Sequence, residues 1–373
     1  MKTNISRPLL ILLALLTLLP LLASCGAKPG KTVMEYEGYT LSENVYTYWL
    51  SYYKTSFYDT FLESGAFTEE NYSEIFWDTD LGGVTIGEIA KAQIDDTINK
   101  ILVSQKLFDD LGLSFTEEET AVIDQYVARD VQNAGSRSAL NKALSQFGLN
   151  TKRLADIYLM EAKCQKVRNY FWGDNGIELP DAAAYEAYYQ ENYIRYKQIY
   201  IRTKDKDCLD ENGDPIIDPS IGDFKVEELT AEERAEKIAL ADELEARLAD
   251  GEDFEALMGK YGEDEGMTYY TDGYFASEGS FAVEYLDVLK EMKTDEVRRY
   301  ETGDGIYLLK KYPLTPGAYN AESSEAFFTG MDSMLMTQLE EDKFRPLAEK
   351  ITKDEEFFTD MTIKNCPLYD FGA

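Results

Sequence analysis

The sequence predicts an α+β protein: a helical first part, a small mixed unit, and a return to helix. Three observations carry this. Apolar residues recur at spacings of three and four through most of residues 42–189, the mark of amphipathic helices. Around residue 197 the pattern changes to alternation, a second alternating run stands at 306–311, and helical spacing separates the two. Apolar positions then return to helical spacing over residues 324–351.

The first element is a leader. Lys2 and Arg7 precede an apolar run at residues 9–22 that closes on Leu22-Ala23-Ser24-Cys25. The run falls short of the roughly 20 apolar residues that a membrane-crossing helix needs. A basic region, an apolar region, small residues and then cysteine is the order that marks a bacterial lipoprotein for export, cleavage before the cysteine and acylation of its thiol. Cys25 is therefore the expected lipidation site, with residues 1–24 as signal peptide and 25–31 as linker. A diacylglyceryl anchor, at about 0.8 kcal/mol per buried methylene, would hold the chain at the extracytoplasmic face of the cell membrane. The alternative is an ordinary secretory signal that happens to carry a cysteine.

Residues 32–41 read as extended, with a turn near Gly38. Ser42 then caps a helix whose Val45, Tyr46, Trp49, Tyr52, Tyr53 and Phe57 share one face. A second helix is expected over 86–111, on Ile89, Ile94, Ile98, Ile101, Leu102 and Leu107. Thr116 with Glu119 makes a capping box ahead of Val122, Ile123 and Val127. Ser138 starts a short helix ending near Gly148, and Thr151 starts a long one through Phe171. Pro180 and Asp181 open another through Tyr185, Tyr188 and Tyr189. Residues 197–202 alternate as a strand, and 207–230 form a polar insertion around the turn DENGDP at 210–215. The acids of that turn resemble a calcium loop, but the spacing breaks after Asp214 and no bidentate Glu follows, so no metal is read there. Thr230 and Glu233 box a helix that ends at Gly251. A short helix at 253–261, a Gly-rich loop, a short helix at 283–292 and a strand at 306–311 complete the mixed unit. The return helix over 324–351 carries Phe327, Met331, Met334, Leu335, Leu339, Phe344 and Leu347.

Composition narrows the function. Hydrophobic residues at 44% and aromatics at 13% place the chain among globular proteins. The net charge is −33, and cleavage after Ser24 would remove Lys2 and Arg7 but no acid, giving −33 − 2 = −35. Such a chain is no nucleic-acid binder, because phosphate binding rests on Lys and Arg. Anionic lipid would repel its folded part. Histidine is absent, which removes Ser-His-Asp and Cys-His nucleophilic systems and the usual zinc sites together. With Cys25 reserved for lipid, Cys164, Cys208 and Cys366 remain as an odd set without metal spacing, read as unpaired or buried thiols. No cofactor is expected.

Several blocks carry a resemblance. RYKQIYIR at 195–202, ARLADGEDFEAL at 246–257, KYGED at 260–264, GYF at 273–275 and GIYLLK at 305–310 resemble the successive blocks of a parvulin peptidyl-prolyl isomerase domain. The preceding helical part, including ALNKALSQFG at 139–148 and residues 182–189, is similar to the amino-terminal chaperone region of SurA. With the leader, the whole resembles an exported foldase lipoprotein of the PrsA type. That resemblance implies a helical chaperone domain at 32–193, a parvulin-like domain at 194–313, and a carboxy-terminal helical segment at 314–373 packing on the chaperone lobe. It also implies unfolded or newly exported polypeptides as partners.

The resemblance sets the site residues as well. Parvulins place one histidine in the first strand and another in the last, with a Cys or Asp nearby; the matching positions here are Gln198, Tyr307 and Asp264. Proline-gripping positions fall on Phe281 and Tyr285, with Phe275 beside them. Gln198 and Tyr307 could hydrogen-bond each other as the histidines do, without titrating. The implied activity is peptidyl-prolyl isomerisation, at a site degenerate or weak for want of both histidines. Two alternatives stay open: an active isomerase, since a dry pocket can lower the X-Pro rotation barrier of about 18–20 kcal/mol without a covalent step, and a surface lipoprotein that binds a ligand or partner. The abundant Tyr and Phe of the helical part suggest an aromatic groove suited to unfolded chains.

Overall fold

The computed structural model describes residues 30–220, 222–278 and 283–369; Cys25 and Phe281 lie outside them. The protein is α+β. Its chain divides into two compact units, the second, Pro180–Leu339, interrupting the first, which resumes at Glu340. No helix among the described residues is long and apolar enough to cross a membrane.

The first unit opens on a hairpin, β1 (Thr32–Tyr36) and β2 (Tyr39–Ser42), turning at Gly38. Helix α1 (Glu43–Glu63) follows directly. Ser42 occupies its N-cap, but the serine side chain makes no cap bond; the Glu43 amide instead donates to the Lys31 carbonyl at 2.8 Å. Helices α2 (Ile86–Asp110) and α3 (Glu117–Asn133) begin with full capping boxes, on Thr85/Glu88 and Thr116/Glu119. One start differs from the sequence reading, for a local reason, and the long helix begins at Thr151 as expected. Ser136, not Ser138, caps α4 (Arg137–Leu144) by accepting the Ala139 amide. Asn150 caps α5 (Thr151–Trp172), its carbonyl oxygen accepting from Lys152 and Arg153.

The aromatics expected to line a groove in this unit are mostly spent in its core. Tyr46, Tyr48, Trp49, Trp77, Phe108, Phe147 and Phe171 are buried in one apolar cluster with Ile94, Ile98, Leu102, Leu154 and Val167. Tyr52 and Tyr126 remain exposed. The carboxy-terminal segment closes this core. Strand β11 (Thr352–Lys353) pairs antiparallel with β1. Ile363, Cys366 and Tyr369 are buried, and the fully buried Lys54 ammonium donates to the Cys366 carbonyl at 2.6 Å and to Glu74 at 2.7 Å.

The second unit is built on an antiparallel four-stranded sheet in the order β8-β3-β10-β9: β3 (Ile194–Arg202), β8 (Tyr274–Ala276), β9 (Val297–Glu301) and β10 (Gly305–Tyr312). One face buries Ile199, Ile201, Ile306 and Leu308 under α7 (Ala231–Ala249) and α8 (Phe254–Tyr261), with Ala241, Leu244, Phe254 and Leu257. Alternation along the strands sends Tyr196, Gln198 and Tyr200 to the opposite face.

Residues 205–228 leave the sheet as an arm of two small ladders, β4 (Asp205–Asp207) on β7 (Val226–Glu228) and β5 (Ile217–Asp218) on β6 (Asp223–Phe224). At the turn singled out in the sequence, the Asp210 carboxylate accepts the Asn212 and Asp214 amides, which holds it below the usual carboxylate range. Those acids fold the turn, and no cluster of metal-ligating residues occurs among the described residues.

The second unit starts earlier and ends later than 194–313. Helix α6 (Ala182–Asn192) belongs to it because Tyr189 packs its ring on Tyr193, Phe275 and Phe328, at 5.8, 6.2 and 5.6 Å between centroids. The return helix is likewise in two pieces. A 3-10 turn, Glu322–Phe327, ends at Phe328, and α11 (Met331–Ala348) starts after Gly330, whose φ of +96° reverses the chain. Phe327, Phe328, Met331 and Leu335 are buried in the second unit's core and Phe344 in the first unit's.

Candidate active site

The polar face of the sheet gathers the site. Register places Tyr307 of β10 opposite Tyr200 of β3 and Tyr300 of β9, Leu309 opposite Gln198, and Tyr274 of β8 opposite Tyr196. Directly opposed residues of antiparallel strands point to the same side, so five tyrosines and one glutamine share a surface. Helix α10 (Leu286–Glu291) adds Tyr285, its N-cap residue, from above.

Three of the expected residues meet in one hydrogen-bonded chain. Gln198 donates its amide N–H to Asp264 Oδ2 at 2.7 Å, which fixes the amide orientation and leaves its oxygen to accept from the Tyr285 hydroxyl at 2.6 Å. Since the Tyr285 proton goes to Gln198, the Tyr196 hydroxyl, 3.3 Å away, donates to Tyr285. Tyr274 donates to the Asp264 carboxylate at 2.9 Å from Oδ2 and 3.0 Å from Oδ1, and the Gly266 amide, at the start of α9 (Gly266–Tyr269), donates to Oδ1 at 2.9 Å. Both carboxylate oxygens are thus engaged from the floor of the site. Gln198, Tyr196, Tyr274 and Tyr285 are all buried.

Burial holds the phenols protonated. It pushes Tyr285 up to about 12 and Tyr196, Tyr274 and Tyr307 well above the ordinary tyrosine range. At neutral pH these hydroxyls donate and accept hydrogen bonds but do not exchange charge.

Tyr307 stands apart from that chain. It lies flat on Tyr200, centroids 4.5 Å apart and planes at 22°, and meets Tyr285 at a tilt of 44°, 5.2 Å between centroids. Gln198 meets Asp264 and Tyr285 in place of Tyr307. The close stack depends on Gly305: a Cβ there would come within 2.2 Å of the Tyr200 ring. Phe275 is fully buried against Phe327 and Phe328 and presents no surface to a ligand.

Tyr196, Tyr200, Tyr274 and Tyr300 escaped the sequence reading as site residues. Alternation had placed Tyr196 and Tyr200 on the Gln198 face, a signal that could have found them. Tyr274 and Tyr300 needed β8 and β9, strands too short or too charged to read as strands. The arrangement is a buried polar floor centred on the Asp264 carboxylate, beside half-exposed rings of Tyr200, Tyr300 and Tyr307, suited to holding an amide and a flat apolar group.

What the fold and this surface define is an α+β protein of two units whose four-stranded sheet carries a histidine-free, tyrosine-walled site. No family model and no curated protein matches the chain. Among solved structures it is similar to PrsA from Bacillus subtilis, at 21% identity over 73% of this chain and 89% of that one, with a TM-score of 0.23. It is also similar to the peptidylprolyl isomerase PrsA of Bacillus anthracis (13% identity, 69% and 94% covered, TM-score 0.21) and of Bacillus cereus (14%, 79% and 95%, TM-score 0.24). Similarity at this level leaves the reading of the site to its own residues.

Proposed function

We propose that this chain is an extracytoplasmic foldase, anchored through lipid on Cys25, that holds segments of unfolded or newly exported polypeptides. Its parvulin-like site binds chain without the acid–base chemistry of a full isomerase. The observation that carries this reading is the closed network of Gln198, Asp264, Tyr274 and Tyr285 beneath half-exposed tyrosines. The Asp264 carboxylate is already engaged at both oxygens, and the phenols, held protonated by burial, exchange no charge with a bound X-Pro amide near neutral pH. The rings above them offer what an unfolded segment needs: large apolar faces with polar tips and little side-chain entropy to lose.

Two measurements test the reading. Light scattering of a reduced, aggregating client should fall when the protein is added in equimolar amount, and Tyr200→Ala/Tyr300→Ala/Tyr307→Ala should lose most of that protection. Equal protection by the triple variant, checked as folded by circular dichroism, would move the work elsewhere. For the anchor, Cys25→Ala should shift the protein out of the membrane fraction and leave its fold intact; unchanged fractionation and mass would remove the lipid.

A further inference from the structure

The second unit carries another concavity, away from the Gln198 network, which the function above does not use. It is a groove of about 630 Å³ between α6, the turn at 318–320 and the start of α11, walled by Tyr185, Tyr319, Phe328 and Met331 and flanked by Glu325 and Asp332. Tyr185 and Tyr319 are half-exposed and lie nearly parallel, 6.4 Å between centroids and 21° between planes. None of the lining residues is Lys or Arg.

The groove is acidic. Its lining holds two carboxylates, Glu325 and Asp332, and neither has an ion-pair partner among the described residues. Asp332 stands in the first turn of α11 and Glu325 in the first turn of the 3-10 segment Glu322–Phe327, so each carboxylate also meets a helix end. Burial and the Asp332 carboxylate hold the Tyr185 hydroxyl above its ordinary value, and burial and Glu186 do the same for Tyr319. Two neutral phenol rings beside two carboxylates, in a lining without a cation, attract a cation on a flat apolar stem, by charge and by ring quadrupole together.

We infer that this groove binds Lys- or Arg-bearing segments of extended polypeptide, the aliphatic stem lying on Tyr185 and Tyr319 and the charged head between Glu325 and Asp332. The inference rests on the foldase reading and adds a preference to it: among unfolded clients, basic segments are held at a second point. A second copy of the chain is a poor occupant, because each copy carries a net charge of −33. An anionic membrane surface is a poor one for the same reason.

The test uses the full chain and two labelled peptides, one alternating Lys or Arg with Leu and Tyr, the other with Glu in place of each basic residue. Binding is read by fluorescence anisotropy. The basic peptide should bind, and bind at least tenfold more weakly to Glu325→Gln/Asp332→Asn and to Tyr185→Ala. The control Glu117→Gln/Glu118→Gln removes the same charge from α3 and should change affinity less than twofold. Equal loss in the control, or equal binding of the acidic peptide, would reduce the effect to the long-range field and overturn the inference. Complete displacement by spermidine at comparable concentration would make this a small-cation site and overturn it too. Client aggregation is followed in parallel. Protection without groove binding would sink the groove alone, and groove binding without protection would sink the foldase reading alone.

Discussion

At Gly266 a side chain has no room: a Cβ would stand 1.9 Å from the Tyr274 hydroxyl, the group that donates to Asp264. Gly266→Ala must therefore push Tyr274 off the carboxylate. A hydrogen bond to a charged group is worth about 1.5–3 kcal/mol, and urea unfolding should show a loss of that size. Gly259 in α8 is the control, since a Cβ there meets nothing within 4 Å; Gly259→Ala should gain about 0.5–1 kcal/mol from helix propensity. Equal effects at the two glycines would mean that the Tyr274–Asp264 contact contributes little.

Glu161 in α5 gives a residue-scale prediction with a pH signature. Burial raises its carboxyl to about 7, although the Trp49 indole N–H donates to it at 2.6 Å. Its folded-state value lies above the unfolded one of about 4.3, so the folded chain keeps a proton that the unfolded chain has lost between those values. The stability from this group is full below about pH 4 and falls as pH rises through 7. Glu161→Gln keeps the acceptor for Trp49 and cannot ionise. It should match the parent near pH 4 and exceed it by about 1–2 kcal/mol at pH 8, measured by thermal unfolding across pH.

At the scale of elements, much was legible because local chemistry and tertiary packing agree. Thr85 was not foreseen as a cap, but Thr116/Glu119 and Thr230/Glu233 were read as capping boxes and form both reciprocal bonds. The strand at 197–202 was legible through its alternation, and the sheet extends it back to Ile194. Elements whose reason lies outside their own residues were not legible. β9 reads VRRYE and is a strand only because β10 pairs with it. β11 is two residues paired to a strand more than 300 positions earlier. The candidate site divides in the same way: family blocks pointed to Gln198, Asp264 and Tyr285, whereas Tyr274 became visible only when β8 laid it beside Asp264.

The carboxy-terminal segment supplies the element-scale prediction. A chain ending at Thr362 loses the burial of Ile363, Cys366 and Tyr369 and leaves the buried Lys54 ammonium without the Cys366 carbonyl. Each buried apolar side chain contributes about 1.5–3 kcal/mol. Calorimetry should show the transition of the first unit lowered steeply and that of the second unit unmoved. An unchanged first transition would mean that this segment packs without stabilising.

The whole molecule is tyrosine-rich and acidic, with 27 tyrosines and a net charge of −33, so alkaline pH is its weak side. Unfolded tyrosines ionise near pH 10, while burial holds Tyr285 to about 12 and raises Tyr46, Tyr48, Tyr196 and Tyr274 in the same direction. Between those values the unfolded chain binds fewer protons than the folded one, so stability is full below pH 10 and is lost as pH rises toward 12. Phenolate absorbance and circular dichroism should change together in one cooperative step above pH 10. Gradual ionisation with no loss of structure would mean that the phenols are reachable by water.

The central claim is that the site is closed as an acid–base device and open as a binding surface. The direct measurement is NMR exchange on an X-Pro peptide with the full chain between about pH 5 and 9, the range in which a titrating catalytic group would show. The expected result is line broadening of the peptide from binding, with cis–trans exchange accelerated less than about tenfold and no dependence on pH. Strong acceleration that disappears in a folded Asp264→Ala variant would contradict the account and make this an isomerase that works without histidine.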